Sequence, residues 1–135
     1  AVYLLRDRVD EAGNQTFGFY KPDYSPRKSA IYLHNLTTIL ADKTLKFSLG
    51  KLAFKIIDQP ETVHTLLLQK SNGRFELVIW GEKVKGAEEV EIKLSRTYPL
   101  VKVYDATKGT EAVQVLKNIS SIKLTTSDHP FVIEI

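Results

Sequence analysis

The sequence predicts a mainly β chain, an antiparallel β-sandwich preceded by a short strand–loop–helix segment. Three observations carry that expectation. From Lys43 onward, apolar and polar residues alternate in short runs, the period of a half-buried strand. Turn-forming residues separate those runs at fairly regular intervals, as in two packed antiparallel sheets. A single stretch, from Ser25 to Asp42, spaces its apolar residues for a helix instead.

The elements follow in order. Val2-Tyr3-Leu4-Leu5 is an unbroken apolar run, which predicts a strand covered on both faces. Asp7 to Thr16 is polar, with Gly13-Asn14 suited to a tight turn. Phe17-Gly18-Phe19-Tyr20 is a short strand candidate. Ser25 suits a helix N-cap and Pro26 the first helical position. Ala30, Leu33, Leu36 and Leu40, with Ile31 and Ile39 beside them, form the apolar stripe of that helix. It should end near Ala41 or Asp42, before the period changes.

Leu45, Phe47 and Leu49 then alternate with Lys46 and Ser48, and Leu52, Phe54 and Ile56 do the same beyond Gly50. Val63–Gln69 and Phe75–Trp80 read as strands joined by the hairpin turn Ser71-Asn72-Gly73. Val90, Ile92 and Leu94 mark a further strand, and Leu100–Tyr104 another, closed by the turn Asp105–Gly109. Val113 with Val115, Ile122 with Leu124, and Phe131, Ile133 and Ile135 mark the rest. The sum is a sandwich of about eight strands. The expected division is a head, residues 1–42, and a β-sandwich accessory domain, residues 43–135. The strand in the head has no neighbour there. It joins the sandwich or pairs with strands from elsewhere, a second copy of the chain included.

Composition excludes several classes of function. Hydrophobic residues make up 43% and charged residues 26% of the 135, as in ordinary globular proteins. The net charge of +3 is spread along the strands and forms no basic stripe, so nucleic acid is not an expected partner. No run approaches the ~18 apolar residues of a membrane span, so no membrane partner is expected. There is no cysteine, which removes disulfides, thiolate metal sites and a cysteine nucleophile. A signal peptide is not recognisable, and the chain starts at Ala1 with no methionine anywhere. These features lead us to expect a processed or excised piece.

Candidate chemistry is sparse. Glu88, Glu89 and Glu91 fall on a loop and on the wet face of a strand, while Asp7, Asp10 and Glu11 fall in a polar loop. His34, His64 and His129 lack metal-ligand spacing, so neither a metal nor any other cofactor is expected. Asp105–Gly109 resembles a calcium loop only superficially, since Ala106 and Lys108 supply no side-chain oxygen ligand. No serine elbow is present. The sequons at Asn14, Asn35 and Asn118 are discounted, Asn35 because it falls mid-helix.

Aromatic residues are the remaining handle, because sugar rings stack their C–H faces on Trp and Tyr. Trp80, Tyr98, Tyr104 and Tyr24 are the candidates for carbohydrate binding. Trp80 shares a strand face with Val78, and Phe75, Leu77 and Ile79 take the other. Packing at an interface is the competing role for each.

Taken together, Phe17-Gly18-Phe19-Tyr20, Ser25 to Ala30 and Leu33 to Leu40 resemble the end of the catalytic barrel in bacterial clan A glycoside hydrolases. Gly73 to Trp80 and Val103 to Gly109 resemble a strand and a hairpin of the small sandwich beside such barrels. The resemblance implies a secreted, extracellular setting and an enzyme's tail without the two catalytic carboxylates, which lie on earlier barrel strands. The chain is therefore not expected to be an enzyme by itself. Two roles follow from it: an accessory module that binds a polysaccharide or oligosaccharide, or a fragment that completes or braces a glycosidase catalytic domain. An adhesion-type sandwich stands as a third, unsupported by any particular motif.

Overall fold

A computed structural model describes residues 4–8, 16–42, 48–83 and 85–135. One helix, α1 (Lys28–Leu40), precedes six strands: β1 (Phe54–Ile57), β2 (Val63–Gln69), β3 (Phe75–Gly81), β4 (Glu88–Asp105), β5 (Ala112–Thr126) and β6 (Phe131–Glu134). All six belong to one antiparallel sheet, in the order β1-β4-β6-β3-β2 with β5 on the other side of β4. The sheet curls into a half-barrel. The expected mainly β, antiparallel character holds, but a single curled sheet stands where two stacked sheets were expected.

The reason lies in β4 and β5. The sequence suggests a break between Leu94 and Leu100 and another between Val115 and Ile122, yet each pair belongs to one strand, of 18 and 15 residues. Nothing between them forms a turn. The strands bend instead. Lys93 faces Ser121 and Tyr98 faces Ile119, so residues 94–97 of β4 stand against Ser120 alone. Such a bulge increases local twist and curvature. Pro99, which cannot donate to the ladder, has no paired partner just beyond it. The half of β4 before the bulge pairs with β1 and the half after it with β6. One long strand thus turns the sheet's corner.

Alternation then selects the interior. Ile56, Val63, Leu77, Ile79, Val90, Ile92, Val101, Val103, Ile122 and Ile133 line the concave face and are buried there. Leu77, Ile79, Ile92, Val101, Val103 and Ile133 are 0% exposed, so the curl seals this core without a second sheet. Phe54, Tyr98, Leu116 and Phe131 pack at its rim.

The two expected turns form. Asn72 Oδ1 accepts the Arg74 N–H, and Gly73 takes φ +88°, the left-handed region that favours glycine. At the β4–β5 turn Asp105 Oδ1 accepts the Thr107 N–H at 2.8 Å and its hydroxyl at 2.6 Å.

The head departs from expectation. Helix α1 starts at Lys28, with Arg27 rather than Ser25 at the N-cap. The stretch before it is held otherwise: Pro26 bridges Tyr20, the Arg27 N–H donates to Phe19 O at 2.8 Å, and Ser25 donates to Asp23 Oδ1. Phe17–Tyr20 contributes only a bridge at Tyr20, parallel to Arg6 and antiparallel to Pro26. Of the expected first strand, Leu4 is half-buried and Leu5 is 65% exposed. The Gly13-Asn14 turn, Leu45 and Phe47 of the next expected strand, and the first three residues lie outside the described residues; Leu49, the third residue of that expected strand, is in no strand and is 85% exposed.

Candidate functional site

The convex face of the sheet carries α1. Val78 of β3, Val132 of β6 and Ala106 of the β4–β5 turn pack with Ile39 of the helix, and Leu36, Leu40, Trp80 and Tyr104 surround them. This seam uses the helix face of Asn35, Leu36, Ile39 and Leu40. Ile31 and Leu33, expected in the buried stripe, flank it and stay 44% and 42% exposed.

Polar ties lock the seam. Asn35 is buried mid-helix and its Nδ2 donates to Ala106 O at 2.8 Å. At the helix C-terminus, where carbonyls lack intrahelical partners, Lys70 Nζ donates to Ile39 O at 2.7 Å. The Ser71 N–H and hydroxyl donate to the Asp42 carboxylate at 2.7 and 2.6 Å. The β2–β3 hairpin therefore grips the end of α1.

Beneath the grip lies a buried carboxyl. Glu76 is 1% exposed, with Lys70 Nζ 2.9 Å from its Oε1. Neither Glu76 oxygen takes a well-directed hydrogen bond among the described residues. Burial pushes the Glu76 carboxyl above the usual carboxylate range, against the pull of Lys70. Directly across the ladder stands Glu134, which Arg74 reaches at 2.9 Å and Lys102 at 3.4 Å. Burial, then the charge of Glu134, raises the Tyr104 hydroxyl. Three cations thus surround two carboxylates. With Glu76 sealed from solvent, this network ties β3, β4 and β6 to one another.

The four candidate aromatics do not converge. Trp80 and Tyr104 are half-buried in the seam, and the His64 ring lies 5.7 Å from Trp80. Tyr98 packs on the concave core with the Arg96 guanidinium 4.9 Å above its ring. Tyr24 is in the head, 70% exposed, with the Arg6 guanidinium at 4.6 Å.

In the head, Asp7 is the organising group. Its Oδ1 accepts the Gly18 N–H at 2.7 Å and its Oδ2 pairs with Arg27. The Arg27 bond, more than any other contact, holds the Asp7 carboxyl below its ordinary range. A Cβ at Gly18 would lie 2.6 Å from the Asp7 nitrogen, so only glycine allows this approach. Asp10 and Glu11 lie outside the described residues. On the outward side of the helix, Tyr20, Pro26, Ala30, Ile31 and His34 line an open groove of about 260 Å³.

Sequence reasoning missed Asn35, Lys70 and Glu76 as seam residues. Glu76 carried a signal, since it interrupts the otherwise apolar run Phe75–Trp80. It also missed a contact at His129, whose Nδ1 is 3.1 Å from Ser127 Oγ and whose Nε2 is 3.5 Å from Asp105 Oδ1. Hydroxyl, imidazole and carboxylate are the groups of acyl transfer. Here, however, Asp105 Oδ1 is occupied by Thr107, and Ser127 O accepts the Gly81 N–H at 2.9 Å. The set clasps two turns together. Among the described residues no cluster of three His, Asp or Glu side chains could hold a metal ion, and no helix is long and apolar enough to cross a membrane.

No family model matches the chain, and no curated protein matches it.

Proposed function

We propose that this chain is a non-catalytic accessory module of a polysaccharide-degrading enzyme, and that it braces a glycoside hydrolase barrel through its head. The observation that carries this reading is the apolar surface that the head presents among the described residues: Leu5, Ile31 and Leu33 are 65%, 44% and 42% exposed. The groove beside Ile31 and His34 adds to it. A helix apolar on more than its sheet-facing side is suited to lie between two partners. The last helix of a barrel beside an accessory sheet occupies such a place. The parallel bridge Arg6–Tyr20 supports the reading, since barrel strands pair in parallel. Its occupant is the rest of the barrel, in the same polypeptide or in a partner. An enzyme acting on polysaccharides would work outside the cell, as the resemblance to bacterial secreted enzymes implies.

The test starts with the coding DNA upstream of Ala1 and in neighbouring genes. We expect barrel βα units bearing two carboxylates on their strands. In that assembled enzyme, Ile31→Asp should shorten the thermal half-life of activity without changing which glycan is cut. Absence of any barrel nearby, or a variant indistinguishable from wild type, would contradict bracing.

Tyr24 favours a second reading, direct carbohydrate binding, because it is the most exposed of the four candidate aromatics. Calorimetric titration with β-glucan, xylan and mannan oligosaccharides separates the two. Saturable binding lost in Tyr24→Ala would establish a binding module; no heat from a folded chain leaves bracing.

A further inference from the structure

Among the described residues, strand β2 forms one edge of the sheet and pairs with β3 alone. Its free edge can be read from the ladder. Phe75 and Gly81 of β3 turn their backbone groups away from β2, toward Ile135 and Ser127. The even-numbered residues of β3 therefore face β2. Their partners, His64, Leu66 and Leu68, face back. This leaves Thr65, Leu67 and Gln69 with N–H and C=O groups directed outward. Val63, the next outward residue, is already used: its N–H donates to Pro60 O at 3.0 Å and its carbonyl accepts from Gln59 Nε2 at 2.7 Å.

The edge between these points carries no device that blunts pairing. Val63–Gln69 contains no proline, no lysine and no bulge. Leu66, Leu67 and Leu68 are 50%, 37% and 36% exposed, so apolar surface is present on both faces of the strand. Its ends differ in charge. Glu61 and Glu82 stand at the Val63 end, and the Glu82 N–H donates to Thr62 O. Lys70 and Arg74 stand at the Gln69 end, and the Lys70 N–H donates to Arg74 O.

We infer that β2 is a self-association edge, pairing antiparallel with β2 of a second copy about a two-fold axis through Leu66. In that register Thr65 of each copy exchanges both backbone hydrogen bonds with Leu67 of the other, while Gln69 stands opposite the already engaged Val63. Leu66 meets Leu66 of the partner subunit in the close, non-hydrogen-bonded position. An antiparallel copy also brings Glu61 and Glu82 of each strand toward Lys70 and Arg74 of the other; since Lys70 and Arg74 keep their bonds to Glu76 and Glu134, and Glu82 its contact with His64, these charges steer the encounter and form no new ion pair. A two-fold pairing of one patch with itself closes and does not propagate. The association does not depend on the barrel-bracing role and uses a different surface.

Sedimentation equilibrium of the full chain, whose monomer mass is 15.3 kDa, tests this. A monomer–dimer equilibrium is expected, weakening as salt is raised. Leu67→Pro removes one outward N–H and leaves the β2–β3 ladder intact, so it should give a monomer with unchanged far-ultraviolet dichroism. Leu66→Lys, at an exposed position, places two like charges across the axis and should do the same if the proline variant does not fold. Ile31→Lys in the head should leave the dimer intact. A monomer at every concentration would overturn the inference. So would a dimer that survives Leu66→Lys, or one dissociated by Ile31→Lys instead.

Discussion

On the concave face, Leu77, Ile79, Val101, Val103 and Ile133 seal one another and need nothing from outside the sheet. On the convex face, Val78 and Val132 belong to a core completed by Ile39 of the helix. The first surface is wholly apolar at its centre. The second mixes apolar contacts with a buried amide, a buried carboxyl and an ammonium that binds a helix carbonyl. Apolar burial gives cohesion without direction. Buried polar groups are costly unless each meets its partner, so they favour one placement over others. The concave face therefore builds the sheet, and the convex face orients the head upon it.

The largest effect should come from the concave core. Ile133→Ala should cost about 3 kcal/mol of global stability, since it opens a cavity among fully buried neighbours. Urea denaturation would show a lower midpoint with an unchanged slope. Trp80→Ala should cost less, about 2 kcal/mol, because the ring is only half-buried in the seam. Its loss should expose the helix more than the sheet, read as faster proteolysis near α1 before any loss of β dichroism. Asn35→Ala should cost about 1 kcal/mol, leaving Ala106 O without its partner while the helix backbone is unaffected. Equal costs for Asn35→Ala and Ile133→Ala would erase the distinction between the two faces.

The smallest effect depends on pH. Burial raises the Glu76 carboxyl in the folded state, so the folded chain binds this proton more tightly than the unfolded chain. The contribution is fully present below the unfolded value of about 4.3 and is lost as pH rises through the folded one. Wild type should therefore gain stability relative to Glu76→Gln as pH falls from about 7 to about 4. Parallel stability curves for the two proteins would mean that the carboxyl keeps its ordinary titration.

The two faces also differ in how legible they were. Alternation identifies Leu77, Ile79 and Ile133 of the concave core, while Leu100–Tyr104 was legible as a strand without its inward residues, Val101 and Val103. It also assigns Val78 and Trp80 to the opposite face correctly. Ser71-Asn72-Gly73 and Asp105–Gly109 were legible because their side chains make the turns locally. The number of sheets was not, because curvature arises where residues 94–97 bulge against Ser120, a pairing between distant segments. The seam was hidden for the same reason. Asn35 reads only as a mid-helix residue until Ala106, 71 positions later, accepts its hydrogen bond. The helix start was misread at Ser25 because Asp23 and Phe19 compete for the groups a cap would use.

Native-state hydrogen exchange, followed residue by residue, tests most directly whether the head is a separately oriented piece on a self-sufficient sheet. The account predicts that amides of α1 exchange through a lower-energy opening than those of β3, β4 and β6. Asn35→Ala should lower protection in α1 while leaving those strands unchanged. A single opening energy shared by helix and sheet, lowered equally in both by Asn35→Ala, would contradict it.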